Sequence, residues 1–316
     1  MSKPKLSINR QSNKSYQELY EEYLKVAKIR NLSPVTIRTY AYHHRYWFQF
    51  VHEGLMCSEI DQELIDDYRL HLIDKGLNAV SVNSYISNIS PVLKYGVERG
   101  YIPNKLSFKQ LREEEKIKEI YTPEELAILL KKPNMKKCSF AEFRNWVIIN
   151  FLLGTGVRAR ELRNIKIKDV DLDNNLIALQ VTKNKKARYI PIPPTLNKIL
   201  SEYLPLRQAN SPEEYLFCTQ YGEMMPRTTL QIGITKYCKK RGVYKYSLHL
   251  FRHTFATLYI KTGNPFILQR ILGHQSMKMV NHYLQMNTDD LKQNIAIVNP
   301  LEQVTKNRIN MKHKGE

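Results

Sequence analysis

Several short segments in the second half of the chain carry side chains suited to phosphate chemistry. Gly154-Thr155-Gly156-Val157-Arg158-Ala159-Arg160-Glu161-Leu162 sets an arginine just after a glycine turn, at the start of a predicted helix. Thr182-Lys183-Asn184-Lys185-Lys186-Ala187-Arg188 reads as a basic hairpin turn. His249-Leu250-Phe251-Arg252-His253-Thr254 places a histidine and an arginine three apart, on one helical face. Leu272-Gly273-His274 is followed nine residues later by Tyr283. A guanidinium holds planar oxygens bidentately and keeps its charge, so Arg158 and Arg252 suit the non-bridging oxygens of a phosphate. Singly, each residue has an ordinary explanation: a surface arginine, a core histidine, a solvated lysine or one of 20 tyrosines. Six such residues in fixed order are the informative feature.

What is missing narrows the chemistry further. Metal-assisted phosphodiester hydrolysis needs clustered carboxylates to hold the ions. Residues 121–316 carry 15 carboxylates against 31 lysines and arginines, with no HExxH. Asp169-Val170-Asp171-Leu172-Asp173 alternates, but lacks the glycine and terminal glutamate of a calcium loop, and reads as a polar strand edge. No GxxxxGK[ST] loop is present to cradle a nucleotide. The expectation is therefore no metal and no cofactor, with catalytic cations drawn from the chain's own side chains.

Charge identifies the class of partner. The 316 residues carry 49 Lys+Arg and 30 Asp+Glu, a net +19, of which residues 1–120 supply +3 and residues 121–316 supply +16. Such an excess calls for a polyanion, and the second part should hold most of the phosphate-facing surface. No run of about 18 apolar residues exists, and the first 15 residues lack an apolar core, so a membrane partner is disfavoured and a cytoplasmic location is expected. Cys57, Cys138, Cys218 and Cys238 are scattered, which fits a reducing compartment and gives no zinc spacing.

The elements that must position these groups fall into two domains. Residues 1–13 read as a flexible N-terminus, 14–107 as a helical domain, 108–120 as a charged linker, 121–300 as a catalytic domain and 301–316 as a basic tail. In the first, Ser15-Tyr16-Gln17-Glu18 is a capping box and Ser33-Pro34 a second helix start. Further helices run through Leu64–Leu72 and Val82–Leu93, the latter with a kink expected at Pro91. Thr122-Pro123-Glu124-Glu125 opens the second domain with another capping box. A buried helix from Trp146 to Leu153 follows. Three β-prone runs, Ile165–Val170, Leu176–Val181 and Arg188–Ile192, predict a small antiparallel sheet, and helices resume to a last one at Met286–Val298. The fold class expected is mainly α with one small antiparallel β-sheet.

The ordered set resembles the tyrosine recombinases, also called the phage integrase family. Their pattern is Arg in TGxRxxEL, Lys in a hairpin, HxLRHTxAT, then LGH and a Tyr nine residues on. The first domain resembles their helical, SAM-like core-binding domain, including an LSPxTIxxY opening at Leu32–Tyr40; the likeness spans about residues 14 to 298. It implies that Arg158, Lys183, His249, Arg252, His274 and the nucleophile Tyr283 are catalytic. It further implies double-stranded DNA recombination sites as partners and strand transfer through a 3′-phosphotyrosyl intermediate and a Holliday junction. Four protomers would act on two duplexes, the free protein being a monomer or dimer. Lys183 would be the general acid, His249 the acceptor of the tyrosine proton or an orienter of the phosphate, and His274 a hydrogen-bond partner of a non-bridging oxygen. Glu161 would orient Arg158. Lys185, Lys186 and Arg188 would position phosphates, and Thr36, Arg38, Asn83 and Ser87 would face DNA from the first domain. The segment after Tyr283 would dock onto a neighbour, or back in cis.

Departures from the pattern are local. Thr182 and Asn184 replace two glycines, Phe251 stands where leucine is usual, Val280 where threonine is common, and Leu284-Gln285 follows the tyrosine. With the first helix opening at Ser15, a compact two-domain enzyme without an arm-binding domain is the expectation. Integration or excision of a mobile element or phage is the favoured role. Xer-type resolution of DNA dimers is the alternative, with a type IB topoisomerase or a non-catalytic DNA-binding protein further behind.

Overall fold

The computed structural model describes residues 14–113, 119–180, 187–274, 276, 277 and 280. Lys183, Lys185, Lys186, Tyr283, the expected helix Met286–Val298 and both termini lie outside the described residues. The chain divides into two compact units, Met1–Ile117 and Lys118–Glu316.

The first unit contains α1 (Tyr16–Ile29), α2 (Pro34–Phe50), α3 (Gln62–Asp74) and α4 (Ala79–Glu98). The Ser15–Glu18 capping box closes in both directions at the start of α1. Ser33 caps α2 with Pro34 in its first turn, and Asp61 and Asn78 cap α3 and α4. α4 passes through Pro91 as one helix and packs against α1, α2 and α3. The core is aromatic: Trp47 lies edge-on to Tyr68, and Tyr20 stacks on His44 at 4.3 Å.

The stretch expected to be linker from residue 108 is tied down in its first part. Asn83 Nδ2 donates to the Leu111 carbonyl (2.9 Å), and the Leu111 amide donates to Asn83 Oδ1 (2.8 Å). Gln62 Oε1 accepts from the Ser107 amide (2.7 Å), and Arg69 Nη2 donates to the Lys109 carbonyl (3.0 Å). Asn83 is buried, so its expected place on a DNA-facing surface is corrected: its amide holds a chain segment across α4. Replacing Asn83 with alanine strips the Leu111 amide of its acceptor and should destabilise the unit by about 1–3 kcal/mol. Faster tryptic cleavage after Arg112 and a lower urea midpoint would register the loss.

The second unit contains α5 (Pro123–Leu130), α6 (Phe140–Thr155), α7 (Ala159–Asn164), β1 (Val170–Asp171), β2 (Leu176–Leu179), β3 (Arg188–Pro191), α8 (Pro194–Arg207), α9 (Arg227–Lys240), α10 (Leu248–Ile260) and α11 (Pro265–Leu272). Thr122 and Glu125 form the expected capping box at α5. The strands form an antiparallel meander in the order β1-β2-β3, with Val170 opposite Ile177 and Leu179 opposite Arg188. The first β-prone run is corrected. Ile167–Asp169 is a 3-10 turn closed by the Asp169 carboxylate on the Lys166 amide (2.9 Å), leaving a two-residue strand. α6 is buried nearly all round and packs against α5, α8, α9 and α10, which makes it the axis of this unit.

Candidate active site

The site is built at the C-terminal end of α6. The helix stops at Gly156, whose φ of +62° belongs to the left-handed region. A Cβ at Gly156 would come within 2.3 Å of the Phe255 ring, so any larger residue must displace that ring, besides straining the left-handed backbone. Arg158 then caps α7, and its amide donates to the Glu161 carboxylate one turn on (2.8 Å). Arg158 Nη1 reaches the same carboxylate at 3.1 Å.

α10 brings Arg252 to this turn. Its side chain is 2% exposed, and Nη1 donates to the Gly156 carbonyl at 2.6 Å. Nη2 donates to the Leu272 carbonyl at 2.9 Å, and Arg158 Nη1 donates to that carbonyl at 3.2 Å. α11 ends at Gly273, φ +62°, and this left-handed step projects His274 back toward the arginines. His274 Nε2 accepts from Arg252 Nη2 at 3.0 Å. Since a guanidinium only donates, the ring proton is assigned to Nδ1, a buried atom with no partner among the described residues. His249 sits one turn before Arg252 on α10 and is exposed.

A buried carboxylate organises the cluster. Glu161, 2% exposed, accepts from Arg188 Nη1 (2.9 Å) and Nη2 (3.0 Å) as well as from Arg158. Burial alone would raise its pKa; the hydrogen bonds and charges of Arg188 and Arg158 outweigh that and hold the carboxyl below the usual range. Arg188 Nε donates to the Ile271 carbonyl at 3.0 Å. Arg188 was expected to face a phosphate. Its Nε, Nη1 and Nη2 instead each bond within the protein, and tie the sheet to α7 and the end of α11. Its partner lies 27 residues earlier, a pairing that sequence spacing does not announce.

His274 is neutral in this setting. Burial, reinforced by Arg252, Arg158 and Arg188, pushes it down from 6.5 to about 4. The unfolded chain binds the proton first, so folding stability is complete above about pH 6.5 and falls as pH drops toward about 4. The urea midpoint should decline across that window, and less steeply in His274→Asn. His44, also pushed down to about 4 by burial, contributes a second share that this variant keeps.

Arg158, Arg252 and His274 thus meet around two backbone carbonyls, with His249 on the adjoining helix turn. Lys183 and Tyr283 are not placed by the described residues. In the first unit Arg38 and Ser87 are exposed, while Thr36 is partly buried and bonds the Ser33 cap (2.9 Å). Among the described residues no three His, Cys, Asp or Glu groups gather to hold a metal ion, and no helix is long and apolar enough to cross a membrane.

Comparison with known proteins agrees along the chain. Residues 119–290 match the Phage integrase family and residues 15–110 its SAM-like domain. Tyrosine recombinase XerA of Pyrococcus furiosus is 28% identical over 295 residues, covering 90% of this chain and 95% of that protein. Tyrosine recombinase XerD of Staphylococcus aureus is 25% identical, covering 87% and 96%. Among solved structures, the Tn1549 transposon integrase in complex with transposon right end DNA shares the fold, with TM-score 0.72, 21% identity and coverage of 90% and 99%. A lambda integrase dimer bound to a core site does so at TM-score 0.68 and 17% identity, covering 87% and 79%. With the family pattern spanning the arginine–histidine cluster and the SAM-like pattern spanning the first unit, the chain belongs to the phage integrase family and is a tyrosine recombinase, a DNA strand-transferring enzyme.

Proposed function

We propose that this enzyme recombines specific DNA sites by way of a covalent 3′-phosphotyrosyl intermediate on Tyr283. The observation that carries this reading is the convergence of Arg158, Arg252 and His274 where the C-terminal ends of α6 and α11 meet the second turn of α10. Two guanidinium groups there suit the charge that gathers on the non-bridging oxygens during in-line attack. Tyr283 Oη bonds to phosphorus, giving its proton to His249. The 5′ oxygen leaves with a proton from Lys183, and the phosphodiester bond energy is kept in the phosphotyrosine. Reversal by a different 5′ hydroxyl rejoins the strands. His274 Nε2 accepts from Arg252, so donating to a phosphate oxygen requires Arg252 to turn that bond to the phosphate and the ring proton to stand on Nε2 instead of Nδ1.

The partners proposed are double-stranded recombination sites and three further copies of the chain on two duplexes, in the cytoplasm where such DNA resides. Lys185, Lys186, Thr36, Arg38 and Ser87 are proposed phosphate or groove contacts. Integration or excision of a mobile element is the role we favour. Resolution of DNA dimers is the second reading, favoured by the names of the curated relatives, XerA and XerD. Nicked substrates that trap the covalent complex, followed by sequencing of the attached DNA, test both. Recovery of element ends supports the first, recovery of a single chromosomal site the second. If intact protein captures no DNA on any nicked library, the recombination proposal fails.

A further inference from the structure

A cavity lies at the end of α6 opposite the arginine–histidine cluster. Its volume is about 390 Å³, within the range of small-molecule sites, and it opens between the first turn of α6 and one face of α9. α6 spans 16 residues, about 24 Å, so this cavity is well removed from the arginine cluster at the C-terminal end of the same helix.

Its lining is an unbalanced set of charges. Arg144, Lys236, Lys240 and Arg241 contribute four cations, against the single carboxylate of Glu142. That carboxylate is already taken by Lys240 (2.8 Å) and Arg241 Nη2 (3.2 Å). Arg144 is the telling member. It is 7% exposed, donates Nη1 to the Cys218 carbonyl at 2.6 Å, and has no carboxylate partner among the described residues. Its Nε is buried without a partner there, as is Arg241 Nη1. A buried cation without a counter-ion is costly unless something supplies the negative charge.

The remainder of the wall is mixed: Ser139, Asn145 and Thr229 are polar, and Ile232 and Tyr237 supply an apolar side. Ile232 is 54% exposed at the mouth, and Tyr237 lies beneath, its ring covered by Arg241 at 3.6 Å. At Gly233 a Cβ would approach Asn145 to 3.1 Å, so the glycine lets α9 pack closely against α6 beside the cavity, where Asn145 Nδ2 donates to its carbonyl (3.2 Å).

We propose that this cavity binds a small organic anion: a carboxylate or phosphate head on Arg144 and Arg241, with an apolar body along Ile232 and Tyr237. Neither the family's strand-transfer chemistry nor the residues assigned to it require such a site. The ligand joins α6 to α9 within the second unit, and so stabilises the folded protein by mass action.

Isothermal titration of the full chain with octanoate and, separately, octyl phosphate tests the proposal and distinguishes the two head groups. Octyltrimethylammonium and inorganic phosphate serve as controls for charge and for the apolar body. The expected result is saturable binding of at least one anion, weakened at least about tenfold in both Arg144→Met and Ile232→Asp. Ile232 is exposed, so that variant keeps the test sound if Arg144→Met does not fold. Absence of binding by both anions overturns the proposal. So does equal binding by the ammonium compound or by inorganic phosphate, or unchanged affinity in the Ile232 variant. Binding is read without DNA, so failure here leaves the recombination reading standing.

Discussion

Tyr283→Phe should abolish covalent capture of DNA and strand exchange while leaving DNA affinity within about twofold of the parent. The phenol oxygen is the only atom removed, and no other side chain in the proposed mechanism can store the phosphodiester bond. The expected loss is at least about 1,000-fold in cleavage rate, the scale seen when a covalent nucleophile is deleted. Affinity should hold because it rests on phosphate contacts spread over a strongly basic second unit, +16 over residues 121–316. Gel retardation and covalent trapping on the same nicked duplex separate the two quantities. A phenylalanine variant that still forms covalent product would move the nucleophile elsewhere; one that loses both activities would point to a structural role. Nicking followed by release, with no covalent species in the parent, would mean that water and not Tyr283 attacks.

The members of the arginine–histidine cluster are legible in the sequence because their motifs bundle them with local structural signals. Arg158 follows a glycine that ends α6, and His274 follows a glycine that ends α11. Helix starts were equally legible, since a serine or threonine cap with a glutamate three residues on satisfies backbone donors by local contacts alone. What failed to show depended on distant partners. Ile165, Ile167 and Val170 look like a strand until Asp169 closes a turn on Lys166. Asn83 and Ser87 stand one turn apart on α4, yet Ser87 is exposed and Asn83 is buried against a returning chain. Arg188 keeps company with lysines in sequence and with Glu161 in space. The Leu272 carbonyl, shared by two arginines, is a backbone atom and has no side-chain signature at all.

Glu161→Leu should be the most damaging substitution that touches no DNA. The carboxylate is 2% exposed and binds Arg188 through both terminal nitrogens, the Arg158 amide, and the Arg158 guanidinium. Removing it leaves two neighbouring cations facing a low-dielectric pocket without a counter-charge. Breaking one side of a buried pair costs about 3–5 kcal/mol, far more than the pair itself is worth against an apolar replacement. The double variant Glu161→Leu with Arg188→Met should therefore recover much of the stability, as read from urea midpoints. Cleavage should not recover with it. Arg158 would still lack the partner that sets its angle, and a displacement of about 1 Å at a reacting group costs about 100-fold in rate. Acid titration gives an independent check. The Glu161 carboxyl is depressed in the folded protein, so its contribution is present above the unfolded carboxylate pKa and is lost as pH falls through the lower folded value. The parent should shed stability in that acid range, and both Glu161 variants should lack this component. If the double variant regains cleavage along with stability, Glu161 and Arg188 serve only to hold the fold, and Arg158 finds its position without them.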